Sequence, residues 1–347
     1  MPEDSNPKAP FPYFGGKSAV AADVWAALGQ PKHYIEPFFG SGAVLLARPD
    51  FMPGKHIESV NDKDGFLCNV WRALQKAPDE VARWCDWPVN HAELSARKAR
   101  LIAEEPNLLA ALIADDEYCN PKMAGYWIWA ASCWIGAGLT CPGQRPHISD
   151  DGRGVHELGQ IPHISDGGRG VHATGQIPHI GDGGAGVQEP YNTNTYAWFR
   201  ALSERLRYVR VVCGDWSRVC GGDWQDKHGT CGIFLDPPYG VEDRKQNIYH
   251  QDDTTVAAQA AADWVLARGD WPSYRIVLAG YYEEHERLLA HGWRAKRWTA
   301  HGGYSNVRQQ ADTQGSENRH REALFFSPHC LVADAGQGQL FGASHDA

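Results

Sequence analysis

The sequence predicts an α/β protein built on a doubly wound, mostly parallel sheet. Three observations lead to this prediction: short apolar runs recur, helix-like segments lie between them, and one long interruption divides the pattern. The predicted strands are residues 32–38, 56–60, 208–213, 232–235, 275–279 and 323–327, with a weaker strand at 294–300. The predicted helices are residues 18–28, 65–74, 195–206, 254–267 and 283–291. Strands that alternate with helices are typical of a parallel sheet covered on both faces.

The alternation stops between residues 77 and 190, which we interpret as an inserted region. A tryptophan-rich helical stretch comes first, and three 16-residue repeats follow at residues 143–190. Each repeat contains an Asp-Gly or Gly-Gly turn and is long enough for one hairpin or loop. A disordered, duplicated glycine-rich segment also fits this composition. The chain is therefore predicted to divide into residues 10–76, 77–190 and 191–328, with a tail at 329–347.

Composition excludes several classes of protein. The 347 residues are 43% hydrophobic and 22% charged, which is typical of a globular chain. Its apolar runs are too short to cross a membrane, and its first residues do not form a secretory signal. Nine cysteines without a Cys-x-x-Cys pair favour reduced thiols and a cytoplasmic location.

The net charge of −9 is unfavourable for binding nucleic acid. Arginine and lysine nevertheless cluster between residues 285 and 321, and a local basic face can bind DNA on an acidic protein. An ordinary solvated surface explains the cluster equally well.

The strongest chemical signal is the tetrapeptide Asp236-Pro237-Pro238-Tyr239, which follows the predicted strand at residues 232–235. A strand end places Asp236 at the edge of the sheet where open α/β folds bind ligands. Because Pro238 has no amide hydrogen, we expect the Pro237 carbonyl to point outward beside the Asp236 carboxylate. Two adjacent acceptors suit an NH₂ group, and Tyr239 offers a flat face for a planar ring.

This tetrapeptide predicts chemistry on the exocyclic amine of a nucleobase. Accepting both N–H bonds stabilises the positive charge that grows when the nitrogen attacks a methyl group. A base reaches such a pocket only after it has been flipped out of the duplex. A chance turn after a strand is the alternative explanation.

Two further motifs follow predicted strands and fit a nucleotide site. Residues 36–42 read Glu-Pro-Phe-Phe-Gly-Ser-Gly, in which Gly40 and Gly42 permit a tight turn and the close approach of a ligand. Asp62 ends the next strand about 20 residues later, where an acidic side chain hydrogen-bonds ribose hydroxyls. An ordinary strand-to-helix turn and an exposed aspartate are the alternatives.

The segment at residues 10–18 combines glycines with a cation. Gly15 and Gly16 let the backbone approach a ligand, and Lys17 can pair with a carboxylate. The segment lacks the spacing of a phosphate-binding loop, so a helix N-terminal turn is the alternative. The histidines that recur within the repeats are not spaced to converge on one ion, and no metal site is predicted.

In this order, the four motifs resemble those of the Dam-like DNA adenine methyltransferases. That family carries P-F-x-x-x-G-G-K, E-P-F-x-G-x-G, N-D and D-P-P-Y, and the resemblance covers about residues 10–328. It implies a seven-stranded methyltransferase sheet, S-adenosylmethionine as cofactor and double-stranded DNA as partner. It also implies methyl transfer to adenine N6 without a metal, with residues 77–190 in the place of the family's target-recognition domain.

The resemblance gives roles to individual residues. Asp236 and Pro237 would hold the adenine amine, and Tyr239 would stack on the ring. The residues that would line the cofactor site are Tyr13, Lys17, Phe38, Gly40, Asp62 and Asp236. The first repeat corresponds to the family's DNA-binding hairpin, and two further copies depart from its pattern. The candidates for DNA contacts are Arg145, Arg153 and Arg169.

Other interpretations of the motifs stay open. Cytosine N4 is also an exocyclic amine, so a cytosine-specific methyltransferase is the nearest alternative. A catalytically silent DNA-binding protein belongs to a different class. A protein-glutamine methyltransferase would be expected to carry asparagine in place of Asp236. The expected protein is a monomer of bacterial or phage origin without an obligate protein or membrane partner.

Overall fold

Seven strands form one sheet in the computed structural model. The model describes residues 7–11, 13, 15–134, 139–140, 193–222, 227, 229–238, 254–298 and 321–331. The strands are β1 (His33–Glu36), β2 (Ile57–Asp62), β3 (Val209–Cys213), β4 (Cys231–Leu235), β5 (Tyr274–Tyr281), β6 (Arg294–Arg297) and β7 (Glu322–Phe326). The predicted α/β class and the mostly parallel sheet are confirmed, and so is the weak strand expected at residues 294–300.

Helices precede β1 and separate most of the later strands. The α-helices are α1 (Ala21–Leu28), α2 (Ala43–Leu46), α3 (Gly65–Lys76), α4 (Pro78–Cys85), α5 (His91–Ala114), α6 (Pro121–Cys133), α7 (Thr193–Leu206), α8 (Ser217–Cys220), α9 (Thr254–Arg268) and α10 (Tyr282–His285). None of them, within the described part of the chain, has the length and apolarity needed to cross a bilayer.

The helix expected at residues 283–291 forms in two pieces. The chain forms the short α10, and a 3₁₀ helix then covers Glu286–His291. His285 joins the two with φ of −123°, far from the helical value of about −63°. Its ring packs against Gly280 on β5 and edge-to-face on Phe325, which fixes this break in the helix.

The strand order is β3-β2-β1-β4-β5-β7-β6. Strands β1 to β5 are parallel, whereas β7 is antiparallel to both β5 and β6. The chain runs outward from β1 through β2 to β3, and it then returns to β4 on the other side of β1. A ligand crevice forms where strand order reverses in this way, at the carboxyl ends of the strands. In this sheet that place lies beyond β1 and β4.

The central strands are buried on both faces of the sheet. In β4, Phe234 packs into one apolar cluster, and its neighbours Ile233 and Leu235 pack into another. Helices α4 and α5 both contact α6, and all three contact α3. Their apolar side chains belong to the same cluster as Phe234. The described first part of the predicted insertion, residues 78–133, is therefore continuous with the main core.

A buried ion-pair network lies at the amino end of β2. Glu58 accepts hydrogen bonds from Arg48 at 3.0 Å and from Arg205 at 2.7 Å. The Glu58 side chain is only 2% exposed. These two arginines fasten α7 and the chain after α2 to the end of the sheet away from the crevice.

Candidate functional site

The chain segments that follow β1, β2, β3 and β4 meet at the carboxyl edge of the sheet. The register pairs Glu36 with Val60 and Asp62 with Cys213, so the three neighbouring strands end at similar heights. Asp236 follows β4 directly. This edge therefore brings together the motifs that the sequence separates widely.

Backbone hydrogen bonds shape the loop after β1. Gly40 and Gly42 have positive φ of 48° and 62°, and the Gly42 N–H donates to the Phe39 carbonyl at 2.8 Å. The Phe39 N–H donates to the Asn61 carbonyl at 2.9 Å, which ties the loop to β2. Left-handed backbone at both glycines explains why the motif has glycine there.

Asp62 holds the same loop through its carboxylate. Oδ2 accepts the Gly40 N–H at 2.8 Å, and Oδ1 accepts the Asp64 N–H at 2.9 Å. Burial, together with the negative charge of Asp64, raises the pKa of Asp62 to about 6. The Lys63 N–H also hydrogen-bonds this carboxylate. A carboxylate has about four acceptor positions, so the side chain can still accept a hydroxyl hydrogen from a ligand.

The segment before α1 covers this loop. The Tyr13 ring lies over Gly40, where an added Cβ would come within 2.7 Å of its Cε1 atom. Farther along, Lys17 donates to the Gly15 carbonyl at 2.9 Å. The Lys17 ammonium also forms an ion pair with Asp236 Oδ2 at 2.8 Å, and these two side chains are 6% and 19% exposed. Two of the predicted site residues are thus in direct contact.

Only one of the two Asp236 carboxylate oxygens has a polar partner among the described residues. Oδ2 contacts Lys17, whereas Oδ1 is buried and has no hydrogen-bond partner among the described residues. Pro237 and Pro238 follow, and a proline at the second of these positions offers no N–H to compete for either acceptor. A buried carboxylate oxygen without a donor is costly, and a bound group that donates a hydrogen bond relieves that cost.

Glu36 at the end of β1 is a buried neighbour of this site. Burial raises the pKa of Glu36 well above its usual range, and the charge of Asp236 adds to the effect. The Tyr34 hydroxyl donates to Glu36 Oε2 at 2.9 Å.

The sequence analysis missed one aromatic residue, Trp216, which follows β3. Its ring stacks on Phe38, with 6.0 Å between the ring centroids and 26° between the ring planes. Both side chains are partly exposed. The Gly214 N–H donates to the Asp62 carbonyl at 2.9 Å and draws this turn toward the site. The signal was available, because Gly-Asp-Trp follows a predicted strand as the other motifs do.

Several predicted residues lie outside the described residues. They are Tyr239, the arginines Arg145, Arg153 and Arg169, and the repeats at 143–190.

The basic stretch after residue 285 is described in part, and most of its described cations have acidic partners, whereas Arg294 donates to backbone carbonyls. Ion pairs join Arg287 to Asp263 at 2.6 Å, Lys296 to Asp23 at 2.7 Å, and Arg321 to Glu283 at 3.4 Å. This pairing favours an ordinary surface over a DNA-binding face there.

No protein-family model matches the chain, and no curated protein matches it. Across the described ranges, no three His, Cys, Asp or Glu side chains come together in an arrangement that suits a metal ion. The inference of function accordingly depends on the geometry at the carboxyl edge of the sheet.

Proposed function

We propose that this protein is an S-adenosylmethionine-dependent DNA methyltransferase that acts on the N6 amine of adenine. The observation that supports this proposal most directly is the arrangement at Asp236. Its Oδ1 atom is buried and has no hydrogen-bond partner in the described part of the chain, and the Pro237 carbonyl follows in sequence. An exocyclic amine has two hydrogens to donate, so it matches two acceptors.

The residues beside Asp236 fit a nucleoside cofactor. Asp62 offers acceptor positions for ribose hydroxyls, and the stacked Phe38 and Trp216 rings offer a flat surface for a purine. The glycine loop gives a ligand close access to the backbone. When bound, S-adenosylmethionine supplies a methyl carbon, whose bond to sulfur breaks as a bond to the amine nitrogen forms and one N–H proton is released.

Lys17 and Asp236 have complementary roles in this proposal. Lys17 occupies Oδ2 and keeps the carboxylate oriented, which leaves Oδ1 directed to the amine. An amine nitrogen gains positive charge as it attacks carbon, and the Asp236 charge stabilises that change. Losing one such preorganised electrostatic contact costs about 10²–10³-fold in rate.

The remaining assignments depend on the resemblance alone. Tyr239 is proposed to stack on the flipped adenine, and Arg145, Arg153 and Arg169 are proposed to contact DNA. Adenine is preferred to cytosine because aspartate begins the Asp-Pro-Pro-Tyr motif. The acceptor pair itself would also suit cytosine N4. The ion pair between Lys17 and Asp236 argues against a silent DNA-binding protein, because binding alone does not need it.

Mass spectrometry of nucleosides tests the proposal. Purified protein is incubated with S-adenosylmethionine and mixed-sequence duplex DNA, and the DNA is then digested and analysed. Asp236→Ala removes the acceptor, and Asp263→Ala is the control because it changes an exposed aspartate on α9. N6-methyladenine formed by the wild type and by Asp263→Ala, but not by Asp236→Ala, supports the proposal.

Two other outcomes of this experiment would change the proposal. N4-methylcytosine in place of N6-methyladenine keeps the mechanism and replaces the substrate. No methylated base, with cofactor binding demonstrated and DNA of varied sequence supplied, overturns the proposed activity.

A further inference from the structure

Trp71 on α3 lies directly beneath the loop after β1. Its side chain is fully buried, and the indole Nε1–H donates to the Gly40 carbonyl at 2.9 Å. The ring also packs on Phe39, with 5.1 Å between centroids. None of the four sequence motifs contains Trp71, although it contacts two of them, through Phe39 and Gly40 in one and through Phe11 in the other.

Gly40 is held from two directions. Its N–H donates to Asp62 Oδ2 at 2.8 Å, and its carbonyl accepts the hydrogen of Trp71 Nε1. These two bonds fix the peptide groups on either side of a residue whose φ is 48°. The left-handed conformation is therefore specified by partners on β2 and α3 and not by the loop alone.

The same tryptophan supports the segment that carries Tyr13 and Lys17. Phe11 is buried between Trp71 and Trp127 on α6, with centroids at 5.5 Å and 5.0 Å from theirs. From this anchor the chain reaches Tyr13 over Gly40 and then Lys17 beside Asp236. The Trp71 ring thus contacts two segments of the candidate site, the loop after β1 and the segment before α1 that carries Tyr13 and Lys17.

We propose that Trp71 is a positioning residue that sets the backbone of the loop after β1 for the cofactor. The effect on the cofactor rests on the proposed function, whereas the effect on the loop does not. Trp71 acts through Gly40 and touches no reacting group. A fully buried tryptophan that only filled space would not need its N–H, and replacing that N–H alone separates the two roles.

Trp71→Phe is the test variant, and Trp129→Phe is the matched control. Trp129 is also fully buried, and its Nε1 donates to a backbone carbonyl, that of Trp87 at 2.7 Å, away from the site. Both changes remove one buried indole, so they share the loss of volume. Hydrogen exchange of a peptide covering residues 36–46 measures the loop without any ligand.

We expect exchange at Gly40 to Gly42 to be about tenfold faster in Trp71→Phe than in the control, in line with one lost hydrogen bond. Calorimetry with S-adenosylhomocysteine should show Kd raised about tenfold. The KM for S-adenosylmethionine should rise similarly, while kcat at saturating cofactor stays within about twofold of the wild type. A change confined to KM distinguishes positioning of the loop from general damage to the fold.

Equal exchange and equal affinity in the two variants overturn the inference. If Trp71→Phe does not fold, benzothienylalanine at position 71 gives the same comparison, because it matches tryptophan in shape and lacks the N–H. Wild-type protein that binds neither cofactor nor product overturns the proposed function. In that case, the exchange data still decide whether Trp71 orders the loop.

Discussion

Replacing Asp62 by asparagine tests the electrostatics of the candidate cofactor site without any ligand. Burial and the charge of Asp64 raise the pKa of Asp62 from its ordinary value of 3.8 to about 6. A raised pKa means that the folded protein holds this proton more tightly than the unfolded chain does. A difference of about 2 in pKa corresponds to about 3 kcal/mol.

The sign of the pH dependence follows from linkage. Below about pH 4 the carboxyl group is protonated in both states, and its contribution to stability is fully present. Between about pH 4 and 6 the unfolded chain has lost the proton and the folded protein has not, so the free energy of unfolding falls as pH rises. Above about pH 6 both states are ionised, and the loss is complete.

Asparagine at position 62 does not titrate, but it can accept only one of the two hydrogen bonds that Asp62 accepts from Gly40 and Asp64. That loss lowers stability by about 1–3 kcal/mol at every pH. The stability of Asp62→Asn relative to the wild type should therefore improve by about 2 kcal/mol between pH 4.5 and 7.5, whatever its value at either end.

Urea unfolding followed by tryptophan fluorescence at several pH values measures this difference. Asp116→Asn is a suitable control, because Asp116 is an exposed residue in the turn after α5. Its stability difference from the wild type should stay nearly constant over the same range. Parallel curves for the wild type and Asp62→Asn would refute the argument, since they would mean that Asp62 has the same pKa in both states.

Three further substitutions have expected outcomes. Gly40→Ala should lower stability by about 1–2 kcal/mol more than Gly54→Ala in thermal unfolding. Both residues have positive φ, but only Gly40 has an aromatic ring, that of Tyr13, against its α-carbon. Equal losses of stability in the two variants would contradict this expectation. Glu58→Gln should lower the free energy of unfolding by about 3–5 kcal/mol, because it leaves the buried Arg48 and Arg205 without a charge partner. A loss below about 1 kcal/mol would show that this ion-pair network is dispensable. Trp216→Ala should weaken S-adenosylhomocysteine binding about 10–100-fold in calorimetry through lost stacking, and unchanged affinity would place the purine elsewhere.

Local sequence is enough to find the strands of this fold. Most are short apolar runs between polar residues, and β4, expected at residues 232–235, forms at Cys231–Leu235. The exception is β6, whose sequence is Arg-Ala-Lys-Arg. The partners of the helices were not predictable in this way. An apolar helix face shows that a helix packs against another element, but it does not identify that element. The packing of α4, α5 and α6 onto the main core is therefore known only from the structure.

For the candidate site, too, local sequence predicts some features and not others. The glycine turn and the position of Asp62 follow from short motifs at strand ends. The partner of Lys17 does not, because Asp236 comes from a distant part of the chain and only the sheet brings the two together. Trp71 was hidden for a different reason, since a tryptophan inside a helix is usually part of the core and its hydrogen bond to Gly40 has no sequence signature.

The last strand in the chain is not the last strand in the sheet, because β7 lies between β5 and β6. During synthesis on the ribosome, β5 therefore has one open edge until residues 322–326 have been made, and β6 cannot join the sheet before then. An open strand edge is a template for pairing with another chain. Fragments that stop before β7 are consequently expected to aggregate, although they already contain every residue of the candidate site.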